Sequence, residues 1–265
     1  MLNKYQLYHR AWIYVSEPDK ERRLTDDEAG QLLKQGGWLV RNVYDFDLPE
    51  PTGFWYLIND SFAGMEDLKG HTTKHRLKKS LELLDYEIVP SCEFDVEAAF
   101  RVMVANYGHY KYRDAVPSFE SLTDRIAGLD ENYDLWQARC RQSGELVAWA
   151  IVRRIGSSAE LQTVKANPAF FKSHFPFYGM YYSCNVYYLE RLKLSYVNDG
   201  SRSLSNHSNI QQFLMEKFGS RKAYCHLKVT YKWWLKPIVM MLFPFRKYLP
   251  NGRLRALLNM EEMQR

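Results

Sequence analysis

Residues 194–231 limit the possible folds more than any other part of the chain. Residues 194–198 predict a strand, and the polar residues 199–209 (DGSRSLSNHSN) predict a long turn. An amphipathic helix then ends at Phe218-Gly219, and residues 222–231 alternate in polarity as a half-buried strand does. Open α/β sheets gather ligand-binding groups at the carboxyl ends of strands, and the amino end of a helix attracts anions. The turn is therefore either a ligand site or a turn that is polar for structural reasons alone.

The remaining chain alternates between patterns typical of strands and of helices. Thr25 precedes three acidic residues and predicts a capped helix, which Gly36-Gly37 ends. Residues 134–140 and 146–152 flank a Gln-Ser-Gly-Glu turn and predict a hairpin. Further helices are predicted over 72–84, 94–107, 118–129 and 177–192, and further strands over 38–44, 54–58, 86–89 and 160–165. This order indicates an α/β (α+β) fold, a mixed central sheet flanked by helices.

Composition narrows the class of protein. A chain of 265 residues holds one large domain or two small ones, and its net charge of +5 falls short of a DNA-binding signature. Cys92, Cys140, Cys184 and Cys225 are too far apart for a zinc site and fit a reducing compartment. The first residues contain no apolar signal-peptide core, and no apolar stretch is long enough to span a bilayer. We therefore expect a cytoplasmic protein that does not bind DNA.

Three segments, in this order along the chain, carry a family resemblance. They are TKHRLKKSL at 73–81, ELVAWAIVR at 145–153 and FLMEKFG at 213–219. The first resembles the basic helix of Fem-type proteins, the second a hairpin strand of GNAT domains, and the third the end of both. The chain thus resembles the GNAT acyltransferase superfamily, in particular its Fem-type branch, which is related to the transferases that form peptidoglycan bridges. The resemblance implies a GNAT-like acyltransferase domain at 61–234. Residues 1–60 would then be an N-terminal extension or a partial GNAT-like half, and residues 235–265 a C-terminal extension of short helices.

The resemblance also implies an activity. It is N-acyl transfer of an acyl or aminoacyl group to an amine of a small-molecule or cell-envelope-precursor substrate, with acyl-CoA or aminoacyl-tRNA as donor. Two departures leave alternatives open. Only Gly179 is available for the glycine-rich phosphate cradle of CoA-dependent relatives, and Met215 stands where a lysine or tyrosine often lies. The alternatives are a catalytically lapsed GNAT-fold binding protein and an aminoacyl-tRNA-dependent transferase, the latter favoured by the basic helix.

Candidate site residues follow from the polar turn and from the resemblance. Asp199 can accept a proton from an amine or merely cap the turn, and His207 can act as a base near neutral pH. The phosphates of a CoA donor would lie on free backbone amides at the start of the Tyr-rich helix. The predicted catalytic residues are Asp199 and His207, the predicted cofactor-binding residues are Tyr178, Gly179 and Met180, and the predicted substrate-binding residues are Arg76, Lys79, Ser201, Arg202, Ser203, Asn206, Asn209 and Tyr224. His71 and His75 have the spacing of two metal ligands, but no third ligand lies nearby in the sequence, so we expect no metal.

The segment 235–248 is apolar and then basic. It either packs on its own domain or contacts the surface of a membrane.

Overall fold

The computed structural model describes residues 2–62, 64–110, 115–203, 209–250 and 252–265, and it does not describe the side chain of Asn209. Within these residues the strands are β1 Tyr5–Tyr8, β2 Ala11–Tyr14, β3 Leu39–Leu48, β4 Phe54–Asn59, β5 Leu84–Val89, β6 Tyr133–Cys140, β7 Leu146–Ile155, β8 Ser158–Ala166, β9 Tyr196–Ser201 and β10 Arg221–Tyr231. The helices are α1 Asp26–Lys34, α2 His71–Leu83, α3 Val96–His109, α4 Phe119–Ala127, α5 Pro176–Asn185, α6 Asn209–Phe218, α7 Leu235–Leu242 and α8 Arg253–Met263.

The chain divides into two compact units. The first unit contains Met1–Ile58, Ser201–Gln212 and Arg221–Arg265, and the second contains Asn59–Gly200 and Phe213–Ser220. Because β10 pairs with β3 and β4, this strand and the helices after it group with the start of the chain. The division at 1–60, 61–234 and 235–265 stays a prediction.

The first unit is built on five strands in the order β1-β2-β3-β10-β4. The pairing is mixed, because β2 and β3 are parallel and the other neighbours are antiparallel. Thr25 and Glu28 form the capping box that starts α1, as the sequence predicted. The inner face of α1, Ala29 and Leu32, is buried in one apolar cluster with Val40 of β3. Local capping and an apolar stripe thus place α1 on the sheet.

The second unit is built on five strands in the order β9-β8-β7-β6-β5. Here β8 and β9 are parallel and the remaining neighbours are antiparallel. Its central strand β7 is buried on both faces: Trp149 and Ile151 pack with α3 and α4, whereas Ala148 and Ala150 pack with α5. The alternation follows from the two-residue period of a strand, and the alanines leave room for a helix to approach closely.

The predicted α/β class, with a mixed sheet flanked by helices, is confirmed. The predicted hairpin is β6–β7, and the predicted strands at 146–153 and 160–165 are neighbours. The boundary of the polar turn differs from the prediction, since the strand begins at Tyr196 and continues to Ser201. The amides of Leu194 and Ser195 bind the carbonyls of Tyr188 and Ser157, which holds that segment as a connection before β9.

The two short C-terminal helices expected from the sequence are α7 and α8. Within the part of the chain that is described, no helix combines the length and apolarity needed to cross a bilayer.

Candidate functional site

A βαβ unit formed by β8, α5 and β9 positions the candidate site in the second unit. The two parallel strands are paired from Ser158 with Tyr196 to Glu160 with Asn198. Beyond that point β8 continues to Ala166 and β9 to Ser201, so the strands separate toward their carboxyl ends. A separation of parallel strands at their carboxyl ends is where open α/β sheets bind ligands.

Asp199 lies on β9 where this separation has begun. It is half-buried, and burial raises the pKa of its carboxyl group to about 7. The carboxyl group therefore exchanges its proton near neutral pH, which is the property required of a general base or acid.

Tyr181 of α5 lies within electrostatic range of Asp199. Burial, and after it the negative charge of Asp199, raise the pKa of Tyr181 well above its ordinary value. The Tyr181 hydroxyl therefore stays protonated at all physiological pH values and remains a hydrogen-bond donor. A carboxyl group that exchanges its proton near neutral pH and a hydroxyl group that stays protonated thus lie near each other.

Aromatic rings pack around Tyr181 and form an apolar environment. Ring centroids of Tyr178 and Phe213 are 5.0 Å apart, and those of Tyr181 are 6.2 Å from Phe213 and 6.3 Å from Phe218. Such surroundings disfavour a bare carboxylate, in accord with the burial that raises the pKa of Asp199. Met215 is half-buried on α6.

Arg76 and Lys79 of α2 contact the start of α5. The Arg76 guanidinium donates to the Tyr178 hydroxyl over 3.0 Å and lies 5.4 Å from the ring centroid of Phe175. The ammonium of Lys79 lies 6.0 Å from the same centroid. Two cations and the positive end of a helix dipole therefore favour an anion in this region.

Close packing, however, occupies the start of α5. The Tyr178 amide donates to the Phe175 carbonyl over 2.9 Å, so the expectation of a free amide at Tyr178 is wrong. Tyr178, Gly179 and Met180 are all buried. A methyl group added at Gly179 would overlap the ring of Tyr86, whose hydroxyl also donates to the Pro176 carbonyl over 3.2 Å. Gly179 is therefore required for packing, and its role in binding a cofactor stays a prediction.

Four predicted substrate-binding residues whose side chains are described belong to the first unit. Arg202 donates from its amide to the carbonyl of Trp55 over 2.7 Å and from its guanidinium to the carbonyl of Gly53 over 2.6 Å. The carbonyl of Ser201 accepts from the Gln211 side chain over 3.0 Å. These bonds give Arg202 and Ser201 structural roles whether or not they bind substrate. The other two residues, both half-buried, are Ser203 and Tyr224.

Asn206 and His207 lie outside the described residues. Asn209 begins α6, but its side chain is likewise outside the description. The proposed base role of His207 therefore stays a prediction.

A cavity of about 390 Å³ lies elsewhere in the second unit, between the start of α3 and the β6–β7 hairpin. Three of its charged side chains already have partners. Asp95 caps α3, Arg101 pairs with Glu97 at 2.9 Å, and Arg139 donates to the Gly144 carbonyl over 3.0 Å. Because these three groups have partners close to them in the sequence, the β8–β9 separation is the stronger candidate for chemistry.

The sequence did not single out Tyr181 as a partner of Asp199. Tyrosines at 178, 181 and 182 are equivalent in the sequence pattern, and burial beside Asp199 distinguishes Tyr181 among them. Across the described ranges, no group of three or more His, Cys, Asp or Glu side chains is arranged to hold a metal, and His71 and His75 are exposed.

No family profile and no curated protein matches the sequence. Among solved structures, FemX aligns with 88% of this chain and 82% of its own length, at 9% identity and a TM-score of 0.58. The C-terminal domain of a putative lysylphosphatidylglycerol synthetase from Agrobacterium fabrum aligns with 89% of this chain and 82% of its own length, at 12% identity and a TM-score of 0.54. Similarity at this level of identity concerns the fold alone. The chain therefore shares the fold of FemX, in agreement with the fold that the three sequence motifs predicted.

Proposed function

We propose that the chain is an N-acyltransferase that moves an acyl or aminoacyl group to an amine of a small-molecule or cell-envelope-precursor substrate. The observation that carries the proposal is the proximity of Asp199 and Tyr181 at the separation of β8 and β9. The first exchanges a proton near neutral pH and the second is a permanent donor. The fold supports the proposal only in being one that hosts such chemistry.

The reaction begins with a protonated amine, which is not a nucleophile. The Asp199 carboxylate accepts a proton from the ammonium group, directly or through a water molecule, and releases the neutral amine. The amine nitrogen attacks the carbonyl carbon of the donor ester or thioester, and a tetrahedral oxyanion forms. The Tyr181 hydroxyl donates a hydrogen bond to the oxyanion or to the leaving group. As the tetrahedral intermediate collapses, the carbon–oxygen or carbon–sulfur bond to the leaving group breaks. The extra proton on the attacking nitrogen passes to the leaving oxygen or sulfur, directly or through water, so that a neutral amide and an alcohol or thiol are released.

Arg76 and Lys79 supply the charge that would hold the donor. Acyl-CoA and aminoacyl-tRNA both carry phosphates, and a phosphate fits a guanidinium beside an ammonium. The CoA donor requires a phosphate close to α5, whereas a tRNA donor would use more of the basic surface of α2, including the exposed Lys78. The donors are therefore distinguishable by experiment.

The test offers acetyl-CoA, longer acyl-CoAs and charged tRNA to the full chain, with a mixture of amines and envelope precursors. Mass spectrometry then detects acylated product. If Asp199 and Tyr181 catalyse the transfer, kcat/KM should rise as the pH increases through about 7, the pKa of Asp199, because the ionised carboxylate is the base. Asp199→Asn should remove this rise and lower kcat/KM by roughly 10²–10⁴-fold. Tyr181→Phe should lower kcat by about 10²-fold.

Asp124→Asn on the exposed face of α4 is the matched control and should leave the pH profile unchanged. An unaltered profile in Asp199→Asn would contradict the proposed base.

A second candidate is a GNAT-fold binding protein that has lost turnover. It is favoured by the occupied Tyr178 amide and by Met215 in the position of a proton-transferring side chain. Calorimetry distinguishes the two functions. Binding of CoA or charged tRNA without any acylated product, in the presence of the full set of amines, would favour the binding protein.

A further inference from the structure

A contiguous surface of the first unit exposes large apolar side chains. We define the C-terminal surface as residues 232–248, which comprise α7, the residues just before it and the 3₁₀ turn Phe243–Tyr248. Trp233 and Tyr248 are each 86% exposed, Met241 is 66% exposed and Phe245 is 58% exposed. Soluble proteins seldom expose so many large apolar groups within one short segment, so we expect this surface to be a binding surface.

The exposure belongs to one face of a well-anchored segment. Leu235 and Val239 are buried, and Arg246 pairs with Glu262 of α8 at 2.6 Å. The outward apolar side chains follow a spacing of i, i+3, i+7 and i+10 and are Ile238, Met241, Phe245 and Tyr248. This spacing places them along one side of α7 and of the turn that continues it. The segment is thus amphipathic, with its apolar outer face presented to solvent.

The charged side chains of the C-terminal surface indicate which kind of partner it binds. Residues 232–248 contain Lys232, Lys236, Arg246 and Lys247 and no acidic residue. Lys236 and Lys247 are exposed beside the apolar stripe, whereas Arg246 is engaged with Glu262. An apolar stripe flanked by cations matches a bilayer with anionic headgroups, which offers hydrocarbon and negative charge together.

We propose that the C-terminal surface binds the surface of an anionic lipid bilayer. Met241 and Phe245 enter the boundary between headgroups and acyl chains, and the lysines bind lipid phosphates. Trp233 and Tyr248, at the two ends of the segment, lie at the depth that aromatic side chains with a polar edge prefer. With eight residues, α7 is too short to span the bilayer and lies along it.

Pairing of this surface with a second copy of the chain is disfavoured. A two-fold contact would bring Lys236 and Lys247 of both copies together, and like charges across an interface repel. Lipid binding through this surface does not depend on the acyl-transfer proposal, so a result that contradicts one proposal does not contradict the other.

The experiment is co-sedimentation of the full chain with vesicles of phosphatidylcholine alone or of phosphatidylcholine and phosphatidylglycerol in equal parts. The protein should sediment with the mixed vesicles at low salt, much less with the neutral vesicles, and less as salt increases. Met241→Ser combined with Phe245→Ser should weaken binding at least ~10-fold, because the two apolar side chains that enter the bilayer are lost. Lys236→Gln combined with Lys247→Gln should weaken binding to the anionic vesicles by roughly 30-fold.

Leu192→Ser is the matched control, since Leu192 is 41% exposed in the second unit and should not affect binding. Equal sedimentation with neutral and anionic vesicles, or binding that survives both double variants, would overturn the proposal. A dimer of the natural chain, detected by light scattering, would also overturn the proposal if the Met241→Ser, Phe245→Ser variant is monomeric. The C-terminal surface would then bind a second copy of the chain. The lysine variant changes only exposed charges, so it remains informative even if the apolar variant folds poorly.

Discussion

At the scale of single residues, Asp199 shows how burial converts an ordinary side chain into a reactive one. In an unfolded chain its carboxyl group ionises near pH 4, whereas in the folded chain burial raises the pKa to about 7. The folded state therefore holds a proton that the unfolded state has lost over this interval. The contribution of Asp199 to folding stability should then fall as pH rises from about 4 to 7 and level off above that.

This linkage gives a prediction that needs no substrate. Asp199→Asn removes the titration, so the variant should gain stability over the natural chain as pH rises through this interval. At about pH 8 the gain should be on the order of 1–3 kcal/mol, and at about pH 4 it should be near zero. Denaturant unfolding at the two pH values measures it, and Asp124→Asn should show no such dependence. A gain that is the same at both pH values would mean that Asp199 ionises normally.

Gly179 gives a second prediction at this scale, because its missing side chain makes room for Tyr86. Gly179→Ala should destabilise the fold by about 1–3 kcal/mol through overpacking, and Tyr86→Leu in the same chain should recover part of that loss. Gly30→Ala in α1 is the control, since a methyl group there meets open space. It should be neutral or stabilising by about 0.5–1 kcal/mol. Equal effects at the two glycines would show that helix propensity, and not contact with Tyr86, decides the outcome.

At the scale of elements, α2 and α5 meet through cations and aromatic rings. Arg76 and Lys79 lie on the side of α2 that contacts α5, whereas Lys78 between them is exposed. The sequence predicted this basic helix, but its pattern did not separate the cations that face a neighbour from those that face solvent. Only the contact with Phe175 and Tyr178 makes that distinction.

The third prediction uses this difference. Arg76→Gln and Lys79→Gln should each weaken binding of CoA, measured by calorimetry, by roughly 10-fold, because each removes a charged partner of the phosphates. Lys78→Gln should change CoA binding by less than about 2-fold, since an exposed charge is screened. A comparable loss in all three variants would indicate diffuse attraction by the whole helix. That result would favour a polyanionic donor such as charged tRNA.

At the scale of the whole molecule, central strands and edge strands differ in how deeply they are buried. In the second unit, residues 146–152 of β7 are all buried between two apolar clusters. In the first unit, the four-residue edge strand β1 is exposed except at Tyr5. Regions with dense burial open only with large parts of the fold, whereas edge strands fray.

The rates of amide hydrogen exchange should therefore differ between the buried and the edge strands. Amides of β7 should exchange slowest in the chain, and amides of β1 should exchange within the fastest group of strand amides. Mass spectrometry of peptides after timed exchange measures this order. Protection of β1 equal to that of β7 would contradict it.

What the sequence determined by itself was local. The Thr25 capping box, the β6–β7 hairpin and the two C-terminal helices follow from residues within a few positions of one another. Propensity, capping and polarity period act over such short distances, so a linear pattern contains them.

The tertiary structure decided what depends on residues far apart in the chain. Pairing of β10 with β3 and β4 groups it with the start of the chain, and separation of β8 from β9 opens the candidate site. Burial raises the pKa of Asp199, and Tyr86 fills the space above Gly179. The physical reason is common to all four features. Strand pairing, desolvation and close packing are set by neighbours that the folded chain brings together, and no window of sequence contains those neighbours.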